Sequence, residues 1–198
     1  MLARLKPLAP IAAFAGGIGL LLYYALFIAH TSGTGGWRPL GSPLDEMESL
    51  SHLLSSVALA LAVLGLAARL DGGDAVLSRI GAVFAGLALT ACAIMLVLSL
   101  ADTGMPRLIT FMADRGLLLG ALLVGIAVLR TRVLPRAVGV ALLAYAPGTE
   151  LLKLALGALE GMTGLPLFPA QLVAAALVWL YIALRLRRER VSLAAPAA

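Results

Sequence analysis

Residues 75–101 read AVLSRIGAVFAGLALTACAIMLVLSLA, and from Ile80 to Ala101 they carry no charged side chain. A helix needs about 20 mostly apolar residues, rising 1.5 Å each, to cross roughly 30 Å of hydrocarbon. This stretch meets that length. In hydrocarbon every backbone N–H and C=O must find an internal partner, which a helix supplies by itself. Five further segments on either side read the same way: 8–29, 43–68, 106–129, 137–160 and 169–184. The expected fold is therefore all-α, a polytopic membrane bundle of six transmembrane helices forming one domain over residues 1–198.

Composition agrees. Hydrophobic residues make up 62% of the chain and charged residues 13%; soluble domains average about 25% charged. The net charge of +5 does not indicate nucleic acid, because the basic residues sit in short clusters between apolar runs. Such clusters mark the cytoplasmic side of a membrane. Arg4 and Lys6 precede the first span, Arg69 and Arg79 flank the second connection, and Arg130, Arg132 and Arg136 fill the fourth. Arg185, Arg187, Arg188 and Arg190 follow the sixth, whereas the other side carries only Arg38 and Arg107. Both termini are thus expected in the cytoplasm. The apolar run from Leu8 to Ile28 exceeds the roughly 7–15 residues of a signal-peptide core and is read as a retained first span. Cys92, the single cysteine, lies in an apolar run and reads as a small core residue.

Local signals fill in the map. Ser42, Pro43 and Asp45 form an S-x-x-D variant of a capping box at the start of the second span. The preceding Gly-rich segment Thr31–Gly41, with Trp37 and Pro39, reads as an ordered interfacial loop. Trp37, Trp179 and Tyr181 suit the headgroup belts. Gly116 and Gly120 make a G-x-x-x-G, and Ala12–Gly16 and Ala13–Gly17 are similar small-residue pairs, all expected to serve packing within the bundle.

Candidate site residues are polar groups inside apolar spans. Asp45, Glu48, Ser49, His52, Ser55 and Ser56 fall on about a third of the second helix's circumference, with Glu48 and His52 within reach of each other. A solvated helix extension accounts for the outermost of these, but less well for the serines. Asp114 and Arg115 in the fourth span, and Glu150 and Lys153 in the fifth, fall at similar depth. Their charges cancel, so Glu150 is expected to pair with Arg115 and Asp114 with Lys153. Pro147 and Gly148 mark a hinge where the fifth helix should kink or break, with Thr149 capping its second half. Broken helices near the midplane point to transport sites. The opposite orientation of spans 1–3 and 4–6, each with a polar middle helix, would also fit an inverted repeat.

These features support a bacterial membrane protein with a polar pocket in the outer half of the bundle that binds or transports a small ligand or ion. The ligand and ion candidates are Asp45, Glu48, His52, Ser56, Asp114, Arg115, Glu150 and Lys153. A structural salt-bridge network in an accessory or scaffold subunit, or in a homo-oligomer, is the alternative. An enzyme using Glu48–His52 with Asp45 as general base has no supporting HExxH or G-x-S-x-G motif. No metal or cofactor motif is present, and a b-type haem or metal on His30 and His52 is the remaining cofactor reading.

The segment 129–140, LRTRVLPRAVGV, carries R-x-x-x-L-P-R-x-x-G. It resembles a cytoplasmic loop of small uncharacterised bacterial multi-span membrane proteins. The resemblance spans about a dozen residues and implies a bacterial inner-membrane setting, with no activity attached.

Overall fold

The computed structural model describes residues 2–33, 43–70, 75–101, 107–163 and 170–194. It is all helical. A short 3-10 turn, Leu2–Leu5, precedes α1 (Ala9–Gly33), α2 (Pro43–Arg69), α3 (Ala75–Leu100), α4 (Arg107–Thr131), α5 (Arg136–Thr163) and α6 (Ala170–Ala194). All six helices are long and apolar enough to cross a membrane. Five match the predicted spans within a few residues. The sixth continues ten residues past Leu184, because Arg, Leu and Glu remain good helix formers after the hydropathy falls. Trp37 and Ser42 lie outside the described residues.

Consecutive helices run antiparallel. Gly16 of α1 meets Leu59 of α2, Gly19 meets Ser55, and the Leu5 carbonyl meets Gly65. The helices close a ring in chain order, with α1 also against α6, while α2 reaches across to α4. One end of the bundle carries the termini and the α2/α3 and α4/α5 connections. The other carries the α1/α2, α3/α4 and α5/α6 junctions. We call these the terminal end and the junction end.

Small residues set the closest contacts. A Cβ on Gly116 would stand 2.8 Å from the Phe84 carbonyl oxygen, and one on Gly120 would stand 3.0 Å from that of Gly81. The G-x-x-x-G thus joins α4 to α3 inside the bundle, as its sequence predicted. The approach of Gly19 to α2 lets Ser51 Oγ donate to the Gly19 carbonyl at 3.1 Å.

Most of the largest fully buried apolar side chains lie toward the terminal end, among them Leu66, Leu70, Val128, Val138, Leu142, Ile182 and Leu186, while Leu59 and Val63 sit nearer the middle of α2. Trp179 belongs with them. Predicted at a headgroup belt, it is wholly buried, edge-on to Tyr145 with ring centroids 5.2 Å apart. Its size fills the space between α5 and α6, which the hydropathy of its neighbours could not reveal. Tyr181 is exposed and accepts a 2.9 Å bond from Arg185 Nε. Cys92 is buried, as expected. At the terminal end Arg69 donates from Nε and Nη2 to the Lys6 carbonyl, at 3.1 and 3.0 Å, and pins the leading segment to α2. The outer faces are apolar, with Ile11, Phe14, Val83, Val97, Leu108 and Phe111 all exposed. A contiguous apolar exterior of this kind suits lipid.

The α4/α5 connection is decided by one backbone conformation. Thr131 is the last residue of α4, and Arg132 has φ 55° while its N–H bonds to the Val128 carbonyl at 3.1 Å. This is a left-handed helix stop, a position that favours glycine. Pro135 then accepts from Val138 N–H at 2.9 Å and starts α5. Replacing Arg132 with glycine should raise stability by about 0.5–1 kcal/mol, since an L side chain in this region carries strain. A higher melting temperature for the variant checks this.

Two expectations about α5 change. The helix is unbroken from Arg136 to Thr163, with Pro147 inside it. Thr149 does not cap a second half. Its hydroxyl donates back one turn to the Tyr145 carbonyl at 2.6 Å, a bond that lets threonine sit within a helix. In an inverted repeat α2 would correspond to α5, and the two differ in enclosure. The former is the most enclosed of the six and packs against α1, α3 and α4, whereas the latter packs against α4 and α6. Beyond Glu150, no residue of α5 is fully buried as far as Met162.

Candidate functional site

The polar residues of three predicted spans meet in one place. A cavity of about 150 Å³ lies between α2, α4, α5 and α6. His52 and Ser56 reach it from α2, Asp114 and Arg115 from α4, and Thr149, Glu150 and Lys153 from α5. Leu20, Leu59, Leu117 and Leu118 wall its apolar side. Helical spacing accounts for the convergence. His52, Ser56 and Leu59 share a face of α2, and Glu150 and Lys153 share one of α5.

Arg115 and Glu150 pair as predicted, with Nη1 to Oε2 at 2.9 Å. Both side chains are more than a third exposed, and the guanidinium also lies 5.8 Å from the Phe111 ring centroid. Asp114 sits within electrostatic reach of Lys153, of Arg115 and, most strongly, of His52. His52 and Asp114 were expected in one pocket and do line the same cavity; that Asp114 interacts with His52 more strongly than with Lys153 was not predicted. Two lining residues were also missed. Gln171 is the polar contribution of α6, and Tyr145 stands beneath Thr149 on α5. A search of α6 for polar residues near its start would have found Gln171.

His52 is held by Tyr23 of α1, with ring centroids 4.8 Å apart and planes tilted by 37°. Its Nδ1 is enclosed and has no hydrogen-bond partner among the described residues. A buried imidazole nitrogen without a partner is costly unless water or a ligand meets it. Ser55 donates to the His52 carbonyl at 2.8 Å and so faces its own helix.

The outer part of the predicted stripe does not join this cavity. Glu48 is 4% exposed, and its Oε2 lies 3.4 Å from Nδ1 of His30, itself 1% exposed. A solvated helix extension does not describe such a residue. Asp45 is half-buried beside them, whereas Ser49 points outward. The two histidines have different neighbours. His30 faces Glu48 at the α1/α2 junction, and His52 packs on Tyr23 beside the cavity.

Fold and site together define an all-helical protein with six helices long and apolar enough to cross a membrane, arranged around a polar cavity. The chain matches no protein-family model, no curated protein and no solved structure.

Proposed function

We propose that this is a multi-pass protein of the bacterial inner membrane, with both termini in the cytoplasm, that binds a small polar solute or ion in its cavity and carries it across the bilayer. One observation supports this above the rest. Acidic, basic and imidazole side chains from three helices converge on a single cavity in a bundle with an apolar exterior. Charges within a membrane domain are costly and tend to mark ligand or ion pathways. A volume of about 150 Å³ has room for roughly five waters. It is too small for a drug-sized molecule. With two carboxylates and two cations around it, the space suits a small zwitterion better than a bare ion.

Orientation rests on the arginines, which crowd the terminal end. The bacterial setting rests on the resemblance carried by the 130–139 loop. On this orientation the cavity lies in the outer half of the membrane. Single cysteines at positions 34 and 163 should react with a membrane-impermeant maleimide in intact cells. The native Cys92 is buried and contributes little background. Protection of both positions would reverse the topology.

For the ligand itself, purified protein is screened by thermal shift against glycine, alanine, taurine, Na⁺ and K⁺. At least one should raise the melting temperature, and Asp114→Asn should remove the effect. A second reading has its own support. Arg115 and Glu150 are already joined at 2.9 Å, which is how a structural clamp in an accessory or scaffold subunit would look. No shift with any probe, together with an unaltered phenotype for Asp114→Asn and His52→Ala, leaves that reading.

A further inference from the structure

We propose that His30, Asp45 and Glu48 form a binding site for a divalent transition-metal ion, Zn²⁺ by preference, at the α1/α2 junction and separate from the cavity. Each residue offers one ligand atom, and these atoms all lie within 4.8 Å of one another. The His30–Glu48 separation is informative. At 3.4 Å it is long for a hydrogen bond, which prefers about 2.7–3.2 Å. It matches the edge of a tetrahedron around a metal whose ligands stand about 2.1 Å away, roughly 3.4 Å. The Asp45 carboxylate, no more than 4.8 Å from either, closes on the same centre by a side-chain adjustment.

The surrounding fold favours this set. His30 lies in the last turn of α1, where the carbonyl end of the helix attracts a cation. Asp45 lies in the first turn of α2 and Glu48 follows three residues on, so both carboxylates share one face near the helix end that favours anions. His30 and Glu48 are almost wholly buried, so their side chains are held before any ion arrives. One imidazole nitrogen with two carboxylate oxygens suits Zn²⁺, and Mn²⁺ second. Three protein ligands leave a coordination position for water, as in sites that exchange or activate a ligand.

The test uses the full chain, purified in detergent with its affinity tag removed, stripped with chelator and titrated calorimetrically with Zn²⁺ and then Mn²⁺. Wild type should take up one equivalent saturably. Asp45→Asn should weaken binding about tenfold or more, Glu48→Gln should abolish it, and Glu46→Gln, an exposed acid in the same turn, should leave it unchanged. Size-exclusion profiles establish that each variant is folded. Should buried Glu48→Gln fail to fold, half-buried Asp45→Asn decides the question alone. Absence of saturable binding by wild type for both metals overturns the proposal. So does an equal loss in Asp45→Asn and Glu46→Gln, which reports diffuse charge and not coordination.

Discussion

Glu150→Lys is expected to abolish solute binding and to lower the melting temperature by about 5–14 °C. The 2.9 Å bond from Arg115 is lost, and the cavity wall then holds three cations against Asp114. An uncompensated charge near the centre of a membrane helix costs about 2.5–3.5 kcal/mol on insertion scales. For a chain of this length each kcal/mol moves the midpoint by roughly 2–4 °C. The same change at a water-exposed pair would cost under about 1 kcal/mol. The size of the drop therefore reports what the exposed parts of Arg115 and Glu150 face. The exchange Arg115→Glu with Glu150→Lys returns two acids and two bases to the wall. It should recover most of the stability without recovering binding, because the charges stand in swapped positions. Recovery of both would make the pair a structural clamp and would remove it from the proposed solute site.

Gly120→Val is expected to destabilise the bundle by about 1–3 kcal/mol, the range for overpacking a filled interface, and Gly116→Val by at least as much. At both positions the obstacle is a backbone carbonyl on α3, which cannot turn aside as a side-chain tip can. The helices themselves must separate. The pair together should leave little folded protein, seen as aggregation in size exclusion. A matched change elsewhere should have the opposite sign. A Cβ at Gly157 in α5 would meet no atom within 4 Å, so Gly157→Ala should stabilise by about 0.5–1 kcal/mol through helix propensity alone. Destabilisation by Gly157→Ala would show that the second half of α5 is packed against something, such as a second copy of the chain.

Much of the architecture could be read directly. Apolar runs such as 80–101 admit few structures other than a spanning helix, since length and backbone bonding are local properties. Pro43 did begin α2, and the G-x-x-x-G did mark a close helix contact. The Arg115–Glu150 pair was also legible, because the approximate depth of a residue follows from counting along its helix. Expectations failed where the outcome depended on a neighbouring helix, as for Trp179, or on a choice between two local backbone bonds, as for Thr149. Trp179 was placed at a membrane surface and lies in the core. Thr149 was read as a cap and bonds backward within an unbroken α5.

The sequence by itself therefore determined six helices long and apolar enough to cross a membrane and the shared depth of Asp114, Arg115, Glu150 and Lys153, because hydropathy, helix rise and charge are carried along the chain. Only the tertiary structure decided which helix faces meet. It brought His52 and Asp114 to one cavity, added Gln171 from α6, and turned Glu48 toward His30 at the α1/α2 junction. The physical reason is rotational. A helix can turn about its axis without changing its length or hydropathy, and only packing against its neighbours, through contacts such as Gly116 on Phe84 and Gly19 on Ser55, selects one setting.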